Sequence, residues 1–239
     1  MSALLCVKID HVAVLRRAAG AGTPDIVTAA NICLSSGADM IAAHLRRDRR
    51  HMLDEDVFRL CKAVKGRLYL EIPCCPEMEK IALKAMPHSV CLVPETQGEA
   101  DAGGGLKLIG ANMAGTAKTV EKLSRAGIGV SLFIEPAAAA IRLAHKTGAG
   151  AVQLSAAVYG AAQGAGKAEQ ALENLQVASV LVKELGLKLH AGRGLDYFNA
   201  RAVASIDGME CVHAGHSVIC RALFCGLGNA VAEMKGLVC

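Results

Sequence analysis

Eight short apolar runs recur along the chain, at Leu4 to Ile9, Ala38 to Ala43, Leu68 to Ile72, Ser89 to Val93, Gly129 to Ile134, Ala151 to Leu154, Leu187 to Ala191 and Glu210 to Ala214. Each has the length of a buried strand, and helical stripes fall between them. Ile26, Ala29, Ile32 and Cys33 make one stripe. Leu172, Leu175, Ala178, Leu181, Val182 and Leu185 make a longer one, and Leu223, Leu227, Ala230, Val231 and Met234 close the chain. Gly37, Gly127, Gly148 and Gly186 precede strands, where a left-handed helix end is expected. Eight strand–helix units in 239 residues predict a single-domain (β/α)8 TIM barrel over residues 1–239. A doubly wound open sheet competes, but it usually carries a glycine-rich first turn, and Asp10-His11-Val12-Ala13 follows the first run here.

Composition narrows the function classes. Hydrophobic residues make up 53% of the chain but aromatics only 3%, with no Trp, which suits a core of Ala, Val, Leu and Ile around parallel strands. A net charge of +4 with so few stacking aromatics argues against nucleic-acid binding. No apolar stretch approaches the ~20 residues needed to cross a bilayer, and Met1 to Leu5 does not read as a signal peptide. A cytoplasmic protein without membrane contact is expected. The ten cysteines lie scattered in apolar segments with no Cys-x-x-Cys pair, and most read as buried thiols, with Cys74 and Cys75 the exception. Adjacent Cys74 and Cys75 alone do not complete a metal site.

Polar residues gather where the runs end. Lys8, Asp10 and His11 follow the first and His44 the second. Glu71 ends the third and Glu95 follows the fourth. Glu135 ends the fifth, Gln153 lies in the sixth, His190 to Gly194 end the seventh and Gly215-His216 the eighth. In a barrel all of these belong to the face where barrel enzymes build their sites. A single strand-end carboxylate can be a helix cap; the whole set is harder to explain that way. The octapeptide His44-Leu45-Arg46-Arg47-Asp48-Arg49-Arg50-His51 is the densest part. As a bare charge run it would be a solvated face. At a strand end its guanidinium groups suit phosphate or carboxylate oxygens, and His44 suits proton exchange.

With this octapeptide, Ile9-Asp10-His11, Leu92-Val93-Pro94-Glu95, Val130-Ser131-Leu132-Phe133-Ile134, Ala191-Gly192-x-Gly194-Leu195 and Gly215-His216, the chain resembles the pyridoxine 5'-phosphate synthase family from about Leu4 to Leu237. The resemblance implies a cytoplasmic (β/α)8 barrel, commonly a homo-octamer. Such a barrel condenses 1-deoxy-D-xylulose 5-phosphate with 3-amino-2-oxopropyl phosphate and closes a pyridine ring without a metal or organic cofactor. It implies that His44 and Glu71 are proton acceptors, that Asp10, His11, Arg46 and His51 hold the keto-sugar phosphate, and that Gly194, Gly215 and His216 cradle the other phosphate.

The chain also departs from that pattern. Lys8 stands where the family has Asn, and Arg193 where it has a general-acid His between two glycines. An arginine, with a pKa above about 12, is no ordinary proton donor. Ala19 replaces an arginine, a threonine of the loop near Asp101 is missing, Gln153 replaces a glutamate, and Ser155-Ala156-Ala157 replaces His-Thr-Gly. Most of these positions serve the second substrate, so poor use of the standard amino ketone is expected, with Arg193 kept as a binding residue. His190, where the family commonly has Asn, is either a relocated proton donor or a histidine satisfied inside the barrel. Lys8 is either an ion-pair partner of Glu71 or a phosphate, or, with its pKa lowered by nearby arginines, a Schiff-base nucleophile. Three functions fit: a synthase of the family, a divergent paralogue with another second substrate, or a non-catalytic barrel that binds phosphorylated metabolites.

Overall fold

The apolar runs become a closed parallel barrel in the computed structural model, which describes residues 2–20, 22–94 and 104–239. The strands are β1 (Leu4–Lys8), β2 (Met40–His44), β3 (Leu68–Pro73), β4 (Ser89–Val93), β5 (Gly129–Ile134), β6 (Ala151–Ser155), β7 (Lys188–Gly192) and β8 (Met209–Ala214). Each pairs with its neighbour in chain order, and β8 closes on β1. Glu95 and the loop at Asp101 lie outside the described residues.

Period-two alternation sorts the side chains. Along β3, Leu68, Leu70 and Ile72 join the shell between strands and helices, whereas Tyr69 packs inside the barrel. The interior is narrow and thiol-rich: Cys6, Ala42, Cys91 and Cys211 surround Tyr69, with Val93 and Phe133 above. The buried Tyr69 hydroxyl needs partners and finds Ser131 Oγ at 2.5 Å and Gln153 Oε1, to which it donates, at 3.0 Å. Gln153 is thus committed to the barrel interior as well as to the mouth.

Strand ends differ by one or two residues from the apolar runs, for local reasons. β2 starts at Met40 because Ala38 still closes the turn after the helix Ile26–Ser35, its N–H donating to the Cys33 carbonyl at 3.0 Å, and the Asp39 carboxylate accepts from the Leu5 N–H and from Lys235 Nζ, each at 2.7 Å. β1 stops at Lys8 because Asp10 already opens the helix Asp10–Ala19. Gly37, Gly127, Gly148 and Gly186 all have positive φ, as the sequence predicts. No helix among the described residues is long and apolar enough to cross a membrane.

Candidate active site

The C-terminal strand ends enclose a cavity of about 730 Å³. Lys8, Asp10, His11, His44, Arg46, His51, Glu71, Arg193, Gly194, Gly215 and His216 all line it. Sequence-distant residues are brought together by register: His44 stands beside Glu71 in the β2–β3 pair, and Lys8 beside Ala42 in the β1–β2 pair.

At the cavity floor Lys8 Nζ lies 2.5 Å from Glu71 Oε2 and 3.2 Å from Asp10 Oδ2. The other Asp10 oxygen accepts the His44 N–H at 2.7 Å, tying the first two strand ends together. Burial pushes the Lys8 amine down, but the two carboxylates outweigh it and hold the amine above its ordinary range. Of the two readings of Lys8, this favours the ion pair with Glu71 and corrects the lowered pKa of the other, because the two carboxylates are the influences that oppose burial. Burial raises Glu71, yet Lys8 and then His44 bring it below the usual carboxylate value. Burial, with Lys8 beside it, lowers His44 to about 3, so its ring is neutral at pH 7. Its buried Nε2 has no hydrogen-bond partner among the described residues. The floor therefore presents an ionised carboxylate and a neutral imidazole on adjacent strands, the two forms that accept protons.

Two corners of the mouth suit anions. In the first, the buried Arg46 guanidinium is braced by Asp48, with Nε to Oδ1 and Nη2 to Oδ2 both at 3.2 Å. Asp48 also takes the Arg50 Nε at 3.0 Å. His51 Nδ1 accepts the Met52 N–H at 2.9 Å, so a neutral ring carries its proton on Nε2 and can donate it. Arg49, in contrast, is tied to Asp54 and Glu77 away from the mouth.

The second corner is backbone. Arg193 (φ 74°) and Gly194 (φ 77°) form a left-handed turn after β7, unusual for a residue with a side chain. The turn packs so closely that a Cβ on Gly160 would lie 2.1 Å from the Gly194 carbonyl oxygen. Gly215 caps the ten-residue helix His216–Cys225, whose first N–H groups have no acceptor within the helix. A Cβ there would meet Lys8 Cβ at 2.8 Å, so glycine lets β1 and β8 converge. This is the position of the phosphate site in many barrels. The Arg193 guanidinium lies over the Phe133 ring, 5.9 Å from its centroid.

His190 requires a second correction. It lies in the middle of β7, not at its end, and it does not line the mouth. Its ring stacks on His213 at 5.4 Å and faces Tyr69 at 5.7 Å. Burial and then His213 lower it to about 3. His213, Ser217 and Asp196 are lining residues that do not stand among the candidates from sequence, and Arg50 stands there only as part of the octapeptide. His213 is hidden in an apolar run, and its only sequence signal is its two-residue spacing from Cys211.

The model of the pyridoxal phosphate biosynthesis protein PdxJ family matches residues 5–239. The pyridoxine 5'-phosphate synthase of Elusimicrobium minutum is 47% identical over 238 residues, covering 100% of this chain and 98% of the relative. That of Syntrophotalea carbinolica is 44% identical over 240 residues, covering 99% and 98%. Among solved structures, a 3-hexulose-6-phosphate synthase superposes with TM-score 0.64 at 16% identity over 100% of both chains. A thiamine phosphate pyrophosphorylase from Pyrococcus furiosus gives 0.63 at 14%, covering 99% of this chain and 95% of its own. At such identities these two structures speak for the barrel fold alone.

Proposed function

This chain belongs to the PdxJ family of pyridoxine 5'-phosphate synthases, enzymes of vitamin B6 biosynthesis, and from that premise we propose that its mouth joins 1-deoxy-D-xylulose 5-phosphate to 3-amino-2-oxopropyl phosphate with ring closure. The observation that carries the reading is the paired proton acceptors Glu71 and His44 set between two anion-binding corners. Arg46, Arg50 and His51 would hold the keto-sugar phosphate through charge-assisted contacts. Asp10 and His11 would orient its hydroxyl and carbonyl groups. The turn at Gly194 and the helix start at Gly215 and His216 would cradle the second phosphate, with Arg193 as a fixed cation beside it.

Attack of the amine on the ketone, loss of water and loss of phosphate each move protons at neighbouring atoms. A base that is neutral when resting and one that is anionic can serve successive steps without leaving like charges together. Lys8 would hold Glu71 ionised and oriented, releasing it as substrate enters. The protein would work in the cytoplasm as an assembly of several copies, eight by the resemblance. Phe198 and Phe224, 96% and 89% exposed in one copy, favour such a contact.

Arg193 supports a second reading, in which the amine-bearing partner differs from the family's own because a permanent cation stands where a proton donor is expected. Mass analysis of products from 1-deoxy-D-xylulose 5-phosphate with a panel of amino ketones and amino acids separates the two. Pyridoxine 5'-phosphate from the standard amino ketone supports the first. A ring-closed product of another mass supports the second, and the keto sugar recovered unchanged from every mixture contradicts both.

A further inference from the structure

Beneath the mouth, the barrel interior holds a second constellation that the condensation does not use. His190, Cys211 and His213 place one donor atom each within 4.8 Å of one another. β7 and β8 build it: His190 stands opposite Cys211 in the strand register, and His213 is the next inward residue on β8. The register shifts between Leu189 and His190, the kind of irregularity that re-aims a side chain beside a site.

The hydrogen bonding of this group is incomplete. His213 Nε2 and His190 Nδ1 stand 3.4 Å apart, at the long limit for a hydrogen bond. That separation is about what two nitrogens bound to one tetrahedral zinc ion show, given Zn–N bonds of about 2.0–2.1 Å. His213 Nδ1 is buried with no hydrogen-bond partner among the described residues, although the residue is only 4% exposed. An imidazole gives one nitrogen to an ion and Nε2 is the one that faces His190, so this Nδ1 needs a partner of its own and is not the metal-binding atom. Tyr69, the nearest aromatic, does not supply the need, because its hydroxyl is engaged by Ser131 and Gln153.

From this geometry we propose that His190, Cys211 and His213 form a binding site for a zinc-class divalent transition metal. Two imidazoles and one thiolate are a borderline-soft set, suited to Zn²⁺ or Co²⁺ and poorly suited to the oxygen-seeking Mg²⁺ or Ca²⁺. Three protein ligands leave one position for a water or substrate oxygen, the pattern of open rather than closed zinc sites. Entry is through the mouth, whose floor His213 also lines. Gly192 gives the ring room, since a Cβ there would meet His213 Cβ at 2.8 Å. Binding at this site is independent of the proposed condensation, so either can fail while the other stands.

The test uses the full chain, stripped with a chelator and titrated with Co²⁺ and, separately, Zn²⁺. The proposal predicts one tightly held ion per chain and a Co²⁺ spectrum with intense tetrahedral visible bands and a near-ultraviolet thiolate-to-cobalt band. Cys211→Ser should lose the thiolate band. His190→Asn should weaken Zn²⁺ binding at least about 10-fold in competition with a chromophoric chelator. Excess Mg²⁺ should displace neither ion. A wild-type cobalt spectrum without the thiolate band overturns the proposal whether or not the variants fold. So does an unchanged spectrum in folded Cys211→Ser, which would put the ion on other cysteines.

Discussion

Lys8 Nζ and Glu71 Oε2 stand 2.5 Å apart at the floor of the barrel mouth, joining the first and third strand ends across the site. This contact favours the ionised form of the carboxylate that we propose as a proton acceptor. Burial alone would raise Glu71, and Lys8 is the strongest influence acting against it. Lys8→Gln should therefore let the Glu71 pKa rise. The acid limb of the kcat/KM profile is expected to move to higher pH in that variant, while an unmoved limb would mean that Glu71 does not titrate in the rate.

The same pairing makes Lys8 a poor nucleophile, because its amine is held protonated by two carboxylates. Borohydride added during turnover should leave the Lys8 peptide at its unmodified mass. A reduced substrate adduct on that peptide would restore the Schiff-base reading.

Glu71→Gln and His44→Ala remove the two proposed acceptors while keeping Arg46, His51 and the backbone groups of the anion corners. Each should lower kcat by roughly 10²-fold or more while leaving the affinity for 1-deoxy-D-xylulose 5-phosphate nearly unchanged. Arg46→Ala should do the opposite. A charge-assisted contact of about 1.5–3 kcal/mol predicts keto-sugar phosphate binding weaker by roughly 10- to 150-fold in calorimetry.

Acid should destabilise the fold through its buried histidines. His44 and His190 are both lowered to about 3, so between that value and the ordinary histidine pKa of about 6.5 the unfolded chain binds more protons than the folded one. Stability then falls as pH falls through this window. Each ring should contribute a loss of about 2 kcal/mol between pH 7 and pH 5, and His44→Gln should flatten the measured dependence of chelator-treated protein. A dependence unchanged by that substitution would contradict the buried neutral state.

Two glycines separate backbone crowding from helix propensity. A methyl group on Gly160 would strike the Gly194 carbonyl, whereas one on Gly115, within the helix Gly110–Arg125, meets nothing within 4 Å. Gly160→Ala should lower stability by about 1–3 kcal/mol or more and weaken binding at the second phosphate corner. Gly115→Ala should be neutral or stabilising by up to about 1 kcal/mol. Equal thermal denaturation of the two variants would argue against the tight turn.

Much of this architecture was legible in the residues because buried parallel strands leave apolar runs and barrel sites leave polar residues where those runs end. Lys8, His44, Glu71 and Gly215 could be placed at the mouth from position alone. The Lys8–Glu71 ion pair was among the readings of Lys8, but its choice over the nucleophile and the part of Asp10 in it were not legible, since the contact spans 63 residues and depends on register. The fate of His190 was hidden for a related reason: the sequence puts it near the end of a strand but gives neither its depth nor the register shift beside it. His213 sits in a run that reads as core, and only closure of β8 against β1 and β7 shows that it reaches the mouth.

Condensation of two phosphorylated substrates at this mouth would release a ring product and inorganic phosphate, which can be followed together in one reaction. Purified protein should be given 1-deoxy-D-xylulose 5-phosphate and 3-amino-2-oxopropyl phosphate, with pyridoxine 5'-phosphate and inorganic phosphate quantified together over time. The two should rise in equal amounts, and both should be suppressed in Glu71→Gln. Phosphate release without ring product, or product formation equal in wild type and Glu71→Gln, would contradict the proposed condensation.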